Sequence, residues 1–164
     1  MRIFSLCAAL LVVGIAPLAY AQTPVGEQPV DPYVASNANA GATPARDADL
    51  FPAFHGQAGV DRIVDDLVDR SVGDPRISDI FKATDLARLR RTLKEQICYL
   101  LAGPCAYSGR DMKTAHKDQG IQTANFNALV ENLQAAMDRE GVPFRAQNRL
   151  LAKLAPMKRD VVER

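Results

Sequence analysis

Beyond residue 50 the large apolar residues recur at three-four spacing, and no stretch of useful length alternates in twos. That period restricts the chain to packed helices. It gathers apolar side chains on one helical face, whereas a half-buried strand needs a period of two. Val60, Ile63, Val64, Leu67, Val68 and Val72 predict a helix over about 58–72. Asp61, Asp65, Asp66, Asp69 and Arg70 hold its opposite side, and Gly73-Asp74-Pro75 ends it. A short apolar turn with Ile77, Ile80 and Phe81 follows. Thr84 or Asp85 caps a second helix carrying Leu86, Leu89, Leu93, Ile97, Leu100 and Leu101, stopped at Ala102-Gly103-Pro104. A brief helical piece runs from Asp111 to about His116. Thr123 caps a third long helix with Phe126, Leu129, Val130, Leu133, Ala136 and Met137. Gly141 ends it, and Val142-Pro143 opens the last helix, with Leu150, Leu151, Leu154, Met157 and Val161 inward and a kink or break at Pro156. The fold class is all-α, in one domain over 51–164.

The first fifty residues have another texture. A basic start, the apolar run Ile3–Leu18 and Ala19-Tyr20-Ala21 have the layout of a secretory signal cleaved after Ala21, against the alternative of an uncleaved membrane-anchoring helix. The expectation is a signal peptide over 1–21 and a periplasmic or secreted product, with no stable membrane span once the signal is removed. Residues 22–50, with Pro24, Pro29, Pro32 and Pro44 among small polar residues, read as a flexible linker, since so few large apolar groups do not offset the entropy of ordering the chain. The formal charge is +1, and loss of Arg2 with the signal brings it to zero. A neutral protein carries no electrostatic argument for nucleic acid or an anionic membrane surface.

The chemistry-bearing residues are few. His55 and His116 are the two histidines, and Cys98 and Cys105 are the cysteines outside the leader. Their spacing matches no zinc-finger pattern, and a C-x-x-C-H run for covalent haem attachment is absent. A single histidine between apolar helical walls suits haem, which needs one axial imidazole, a flat apolar slot and polar groups at its edge. His116 is the candidate ligand, against the plainer reading of a histidine at a helix end. Met112, one turn earlier on the same face, packs beneath the ring rather than ligating its far side. Cys98 and Cys105, seven residues apart across a helix end, are either a disulfide in an oxidising compartment or two buried thiols.

From Phe54 to Val162 the chain resembles the group I truncated haemoglobins. The residues that carry the likeness are Val64-Asp65-Asp66-Leu67, Asp74-Pro75-Arg76-Ile77 with Phe81, Leu101-Ala102-Gly103-Pro104, Tyr107-Ser108-Gly109-Arg110-Asp111-Met112-Lys113 through His116, Gly120-Ile121, Gly141-Val142-Pro143 and Leu154-Ala155-Pro156. The resemblance implies a two-over-two helical sandwich around non-covalent haem b. His116 then matches the proximal iron ligand, Phe81 the phenylalanine stacked on the haem, and Tyr107 the tyrosine of the loop before the proximal segment. Leu89 and Leu93 fall on the distal helix, with Gln96 and Ile97 further along it. Where family members often carry a tyrosine that holds bound oxygen, the position here is Val68, which has no donor. Gln96 is then the nearest donor by sequence. The Gly-Gly pairs of the family read His55-Gly56 and Ala102-Gly103 here, with His55 at the surface or as a cap. Arg88, Arg91 and Lys113 either form a solvated face or pair with haem propionates.

The implied function is reversible binding of a diatomic gas (O2, NO or CO) at iron held by His116. One alternative is a haem-dependent NO dioxygenase or peroxidase-like enzyme, which needs an unidentified reductant. The other is a cofactor-free all-α periplasmic interaction module.

Overall fold

The computed structural model describes residues 23–163, so the leader expected over 1–21 lies outside the described residues. The helices are α1 (Leu50–Ala53), α2 (Gly56–Gly73), α3 (Leu86–Leu100), α4 (Met112–Ala115), α5 (Thr123–Arg139), α6 (Phe144–Leu154) and α7 (Lys158–Val161), with no strand among the described residues. None of these helices is long and apolar enough to cross a membrane. The pair α2–α3 lies over the pair α5–α6: α2 packs on α3 and α5, and α6 packs on α3 and α5. Val60, Ile63 and Val64 of α2, Ile97 and Leu100 of α3, Met137 of α5 and Leu150 of α6 are sealed from solvent at the centre.

Local signals place the helix ends. The Asp85 carboxylate accepts from the Arg88 amide at 3.1 Å and starts α3. At its far end the amide of Gly103 donates to the Cys98 carbonyl and that of Ala102 to the Tyr99 carbonyl, with Ala102 left-handed at φ 64°. This paired closure favours glycine at the left-handed position, and alanine occupies it here. The next residue is glycine by necessity: a Cβ on Gly103 would lie 2.6 Å from Cys98 Sγ and 2.7 Å from the Phe51 ring. Cys98 and Cys105 are joined in a disulfide, with their Cα atoms 5.9 Å apart. Gln122, not Thr123, caps α5, exchanging bonds with Asn125. The break expected at Pro156 is present as the 3-10 turn Ala155–Met157.

Two expectations are corrected by packing. Val72, assigned to the apolar face of α2, is 40% exposed, and Ser71 takes the inward place at 1%. The segment read as a flexible linker is laid along the helical body. Ala40 is fully buried in the 3-10 turn Asn37–Ala40. The Ala45 amide donates to the Leu100 carbonyl at 2.8 Å, and Lys153 Nζ donates to the carbonyls of Thr43 and Pro44. The scarcity of large apolar residues is offset by side chains of the body that donate to the segment's own carbonyls.

Candidate functional site

The short α4 is a device for aiming one imidazole. Asp111 caps it, its carboxylate accepting from the Thr114 amide at 3.0 Å, and this bond holds the carboxyl below its usual range. His116 follows the helix, and its Nδ1 lies 2.7 Å from the Met112 carbonyl. A carbonyl only accepts, so Nδ1 carries the proton of the neutral ring and Nε2 presents its lone pair. Nε2 has no hydrogen-bond partner among the described residues.

His116 lines a cavity of about 340 Å³ between α2, α3, α4 and α5. That size lies within the range of about 300–1,000 Å³ usual for cofactor and ligand sites. Phe81, Leu89, Leu93, Tyr107, Met112 and Val68, all singled out from the sequence, also line it. Ile77, Ile80, Phe126 and Leu129 complete much of the apolar wall. Tyr107 is buried, and its hydroxyl donates to the Arg110 carbonyl at 2.9 Å. Burial pushes its phenol up to about 12, so it stays a neutral donor. The loop closes tightly beneath it: a Cβ on Gly109 would fall 2.2 Å from the Tyr107 hydroxyl.

Gln96 and Ile97 are not among the lining residues. Both are buried on another side of α3. The Gln96 amide donates to the Ala40 carbonyl at 2.9 Å and lies against the sulfurs of Met112 and Met157. It anchors the N-terminal segment instead of reaching into the cavity. His55, left-handed at φ 60°, is the residue before α2, and its Nδ1 is 2.9 Å from Glu140 Oε1. Of the basic residues, Arg88 lines the cavity. Arg91 is taken up by Glu27 and Glu95, and Lys113 borders a second pocket that His116 also lines.

Several cavity residues had escaped the sequence reading. Ser71 lines the wall, and its buried hydroxyl has no partner. Thr92 lines it one turn beyond Arg88, whose carbonyl accepts from the Thr92 hydroxyl at 2.9 Å. A hydrophobic pattern passes over both because it ranks a small hydroxyl below a neighbouring valine or leucine. Arg110, Val30 and Tyr33 stand at the mouth. The last two had no local signal, since they come from the segment read as a linker.

The chain matches the family model of the bacterial-like globins over residues 49–163. A group 1 truncated haemoglobin of Synechocystis sp. is 33% identical over 119 residues, covering 69% of this chain and 96% of that protein. One from Tetrahymena thermophila is 31% identical over 93 residues, covering 57% of this chain and 77% of that protein. Among solved structures, the Fe(III) truncated haemoglobin of Tetrahymena pyriformis superposes with a TM-score of 0.67 at 25% identity, over 70% of this chain and 98% of that one. The cyanomet 2/2 haemoglobin of a Synechococcus species, described with covalently attached haem, gives 0.64 at 25% identity, over the same shares of the two chains. By the extent of the family match and the shared two-over-two architecture, the chain belongs to the bacterial-like globin family.

Proposed function

We propose that this chain is a haem protein whose iron would be held by His116 and would bind a diatomic gas reversibly. The observation that carries the reading is the His116 ring. Its Nδ1 is fixed on the Met112 carbonyl, its Nε2 has no hydrogen-bond partner among the described residues, and the ring lines an apolar slot of cofactor size. The residues present fit haem b. Phe81, Leu89, Leu93 and Met112 give the flat apolar walls, and Arg88 and Arg110 give a cationic mouth for the two propionates. The two cysteines of the described chain are bonded to each other, which leaves neither as a thiol for attachment to the porphyrin. When bound, haem supplies an open iron position for a small π-accepting ligand.

The protein's part is orientation and selection. Nδ1–H donation to Met112 fixes the tautomer and plane of His116 and raises the basicity of Nε2. Across the cavity, Val68, Leu89 and Leu93 exclude water and offer no hydrogen bond. The unpartnered hydroxyl of Ser71 is the polar group on the α2 wall. Such a pocket suits NO or CO, which need little hydrogen bonding, better than it suits long retention of O2. We further propose that the protein acts in an oxidising compartment, the periplasm or the exterior. The Ile3–Leu18 run followed by Ala19-Tyr20-Ala21 supports that reading, as does the Cys98–Cys105 bond, because such bonds persist under oxidising conditions.

The test is a visible spectrum of purified protein with stoichiometric haemin, for the wild type and His116→Ala. A Soret band and ligand-field pattern that depend on His116 are expected. A wild type without such a band, or with one indifferent to His116→Ala, overturns the assignment.

A further inference from the structure

The family match begins at residue 49, yet the segment 27–33, well before it, reaches the cavity through two of its residues. Val30 and Tyr33 line it directly. The two arginines that line it are both held from outside by carbonyls of this segment. Arg88 Nη2 donates to the Gln28 carbonyl, and Arg110 Nη2 donates to that of Asp31 at 2.9 Å. The segment is itself pinned at several points. The Glu27 carboxylate, almost fully buried, accepts from Arg91 and lies 3.5 Å from Arg88. The Gln28 amide donates to Asp85 at 2.7 Å. The Tyr33 hydroxyl donates to the Ser108 carbonyl at 2.8 Å, and the Arg110 guanidinium lies 5.2 Å from the Tyr33 ring centroid.

Arg88 is left with an unfilled role. Its Nε is buried, 3.6 Å from the nearest Asp85 oxygen, and makes no hydrogen bond. A buried guanidinium N–H without an acceptor is costly, and the cavity it borders has room for one. A carboxylate on an otherwise flat apolar molecule would complete it, and guanidinium groups match that geometry.

We infer that residues 27–33 form a strap belonging to the cofactor site: it presets Arg88 and Arg110 toward the carboxylates of the bound porphyrin and covers its exposed edge with Val30 and Tyr33. This rests on the haem reading above and adds a wall from outside the family domain. Pinning the two arginines before the cofactor arrives removes most of the side-chain entropy that two free arginines would lose on binding. The strap then acts mainly on escape, because a porphyrin leaving by the mouth must displace it.

The experiment measures haemin loss from the full chain to excess apomyoglobin, for the wild type, Glu27→Lys, Tyr33→Ala and Val30→Ser. The same measurement is repeated with haemin dimethyl ester, which lacks the carboxylates. Haemin loss is expected to accelerate about tenfold in Glu27→Lys and Tyr33→Ala, as for removal of a charge-assisted or well-oriented bond, and less in Val30→Ser. The wild type should release the ester faster than haemin, and Glu27→Lys should narrow that gap. Val30 is 47% exposed, so its variant reports on the strap even where Glu27→Lys disturbs folding. Unchanged haemin loss in all three variants overturns the strap. Equal loss of haemin and ester from the wild type overturns the arginine contact. A wild type that takes up no haemin at all overturns the haem reading and the strap with it, which separates that failure from the other two.

Discussion

The two faces of the cavity are built on opposite principles. On the His116 side, short-range hydrogen bonds fix nearly every polar group. Asp111 caps α4, Nδ1 of His116 sits on the Met112 carbonyl, and the Tyr107 hydroxyl sits on that of Arg110. All lie within 107–116, so local sequence settles the geometry. The opposite face is a wall of Val68, Leu89 and Leu93, whose positions come from helix packing; the polar groups beside it include the unpartnered Ser71 hydroxyl, Thr92, which already donates to its own helix, and Arg88. If His116 holds the iron as proposed, the difference teaches that anchoring and selectivity are separable: the anchoring side is a rigid local motif, while the opposite face is a packing surface that single substitutions can retune.

The largest expected effect comes from breaking the anchor. His116→Ala should abolish stable haemin uptake, read as loss of the Soret band on gel filtration. Gly109→Ala should strike the same face without touching the ligand. Its Cβ would overlap the Tyr107 hydroxyl, so a stability loss of about 1–3 kcal/mol in urea titration is expected. On the other face, Val68→Tyr should place a phenol where none exists and slow O2 release about tenfold, the worth of one good hydrogen bond. Stopped-flow release at the wild-type rate would show that Val68 does not face the ligand. Ser71→Ala should raise the release rate only a few-fold, and an unchanged C–O stretch in the carbonyl complex would count against a role for its hydroxyl.

The smallest effect is the pH dependence of the strap. Hydrogen bonding from Arg91 holds the Glu27 carboxyl below its ordinary value of 4.5, with Arg88 adding to the shift and Asp85 opposing it. A depressed carboxyl contributes stability that is complete above its unfolded value and is lost as the pH falls through the folded one. Haemin loss from the wild type should therefore approach that of Glu27→Gln as the pH drops below about 4.5. His116 is common to both proteins, so the difference between them isolates the strap.

The helical body was legible because its signals are local and periodic. Asp85, Gly103, Gly141 and Pro156 punctuate it in the sequence much as they do in the fold. The candidate site was legible where it is local too, at Tyr107, Met112 and His116. What could not be read depends on angles and distant partners. Ser71 and Val72 are adjacent, and a rotation of about 100° per residue decides which faces inward; hydrophobicity alone favoured the wrong one. Gln96 looked like a pocket donor because it follows Leu93 by three residues, but its partner is a carbonyl 56 residues away. The segment 22–50 was misread as a linker for a related reason: its ordering energy comes from donors on other elements, which a count of its own apolar residues cannot register.

The Cys98–Cys105 bond links the last turn of the helix that carries Leu89 and Leu93 to the chain leading into Tyr107 and His116. The closed loop is short, so the cross-link removes only a modest part of the unfolded chain's freedom, on the order of 2.5 kcal/mol by loop-closure entropy. That is still a sizeable share of what holds a domain of this size together. The consequence is that the ambient thiol potential sets how often the empty fold opens. Reductant should therefore deplete the haem-free protein faster than the loaded one, because the bound cofactor supplies its own restraint between the same two elements.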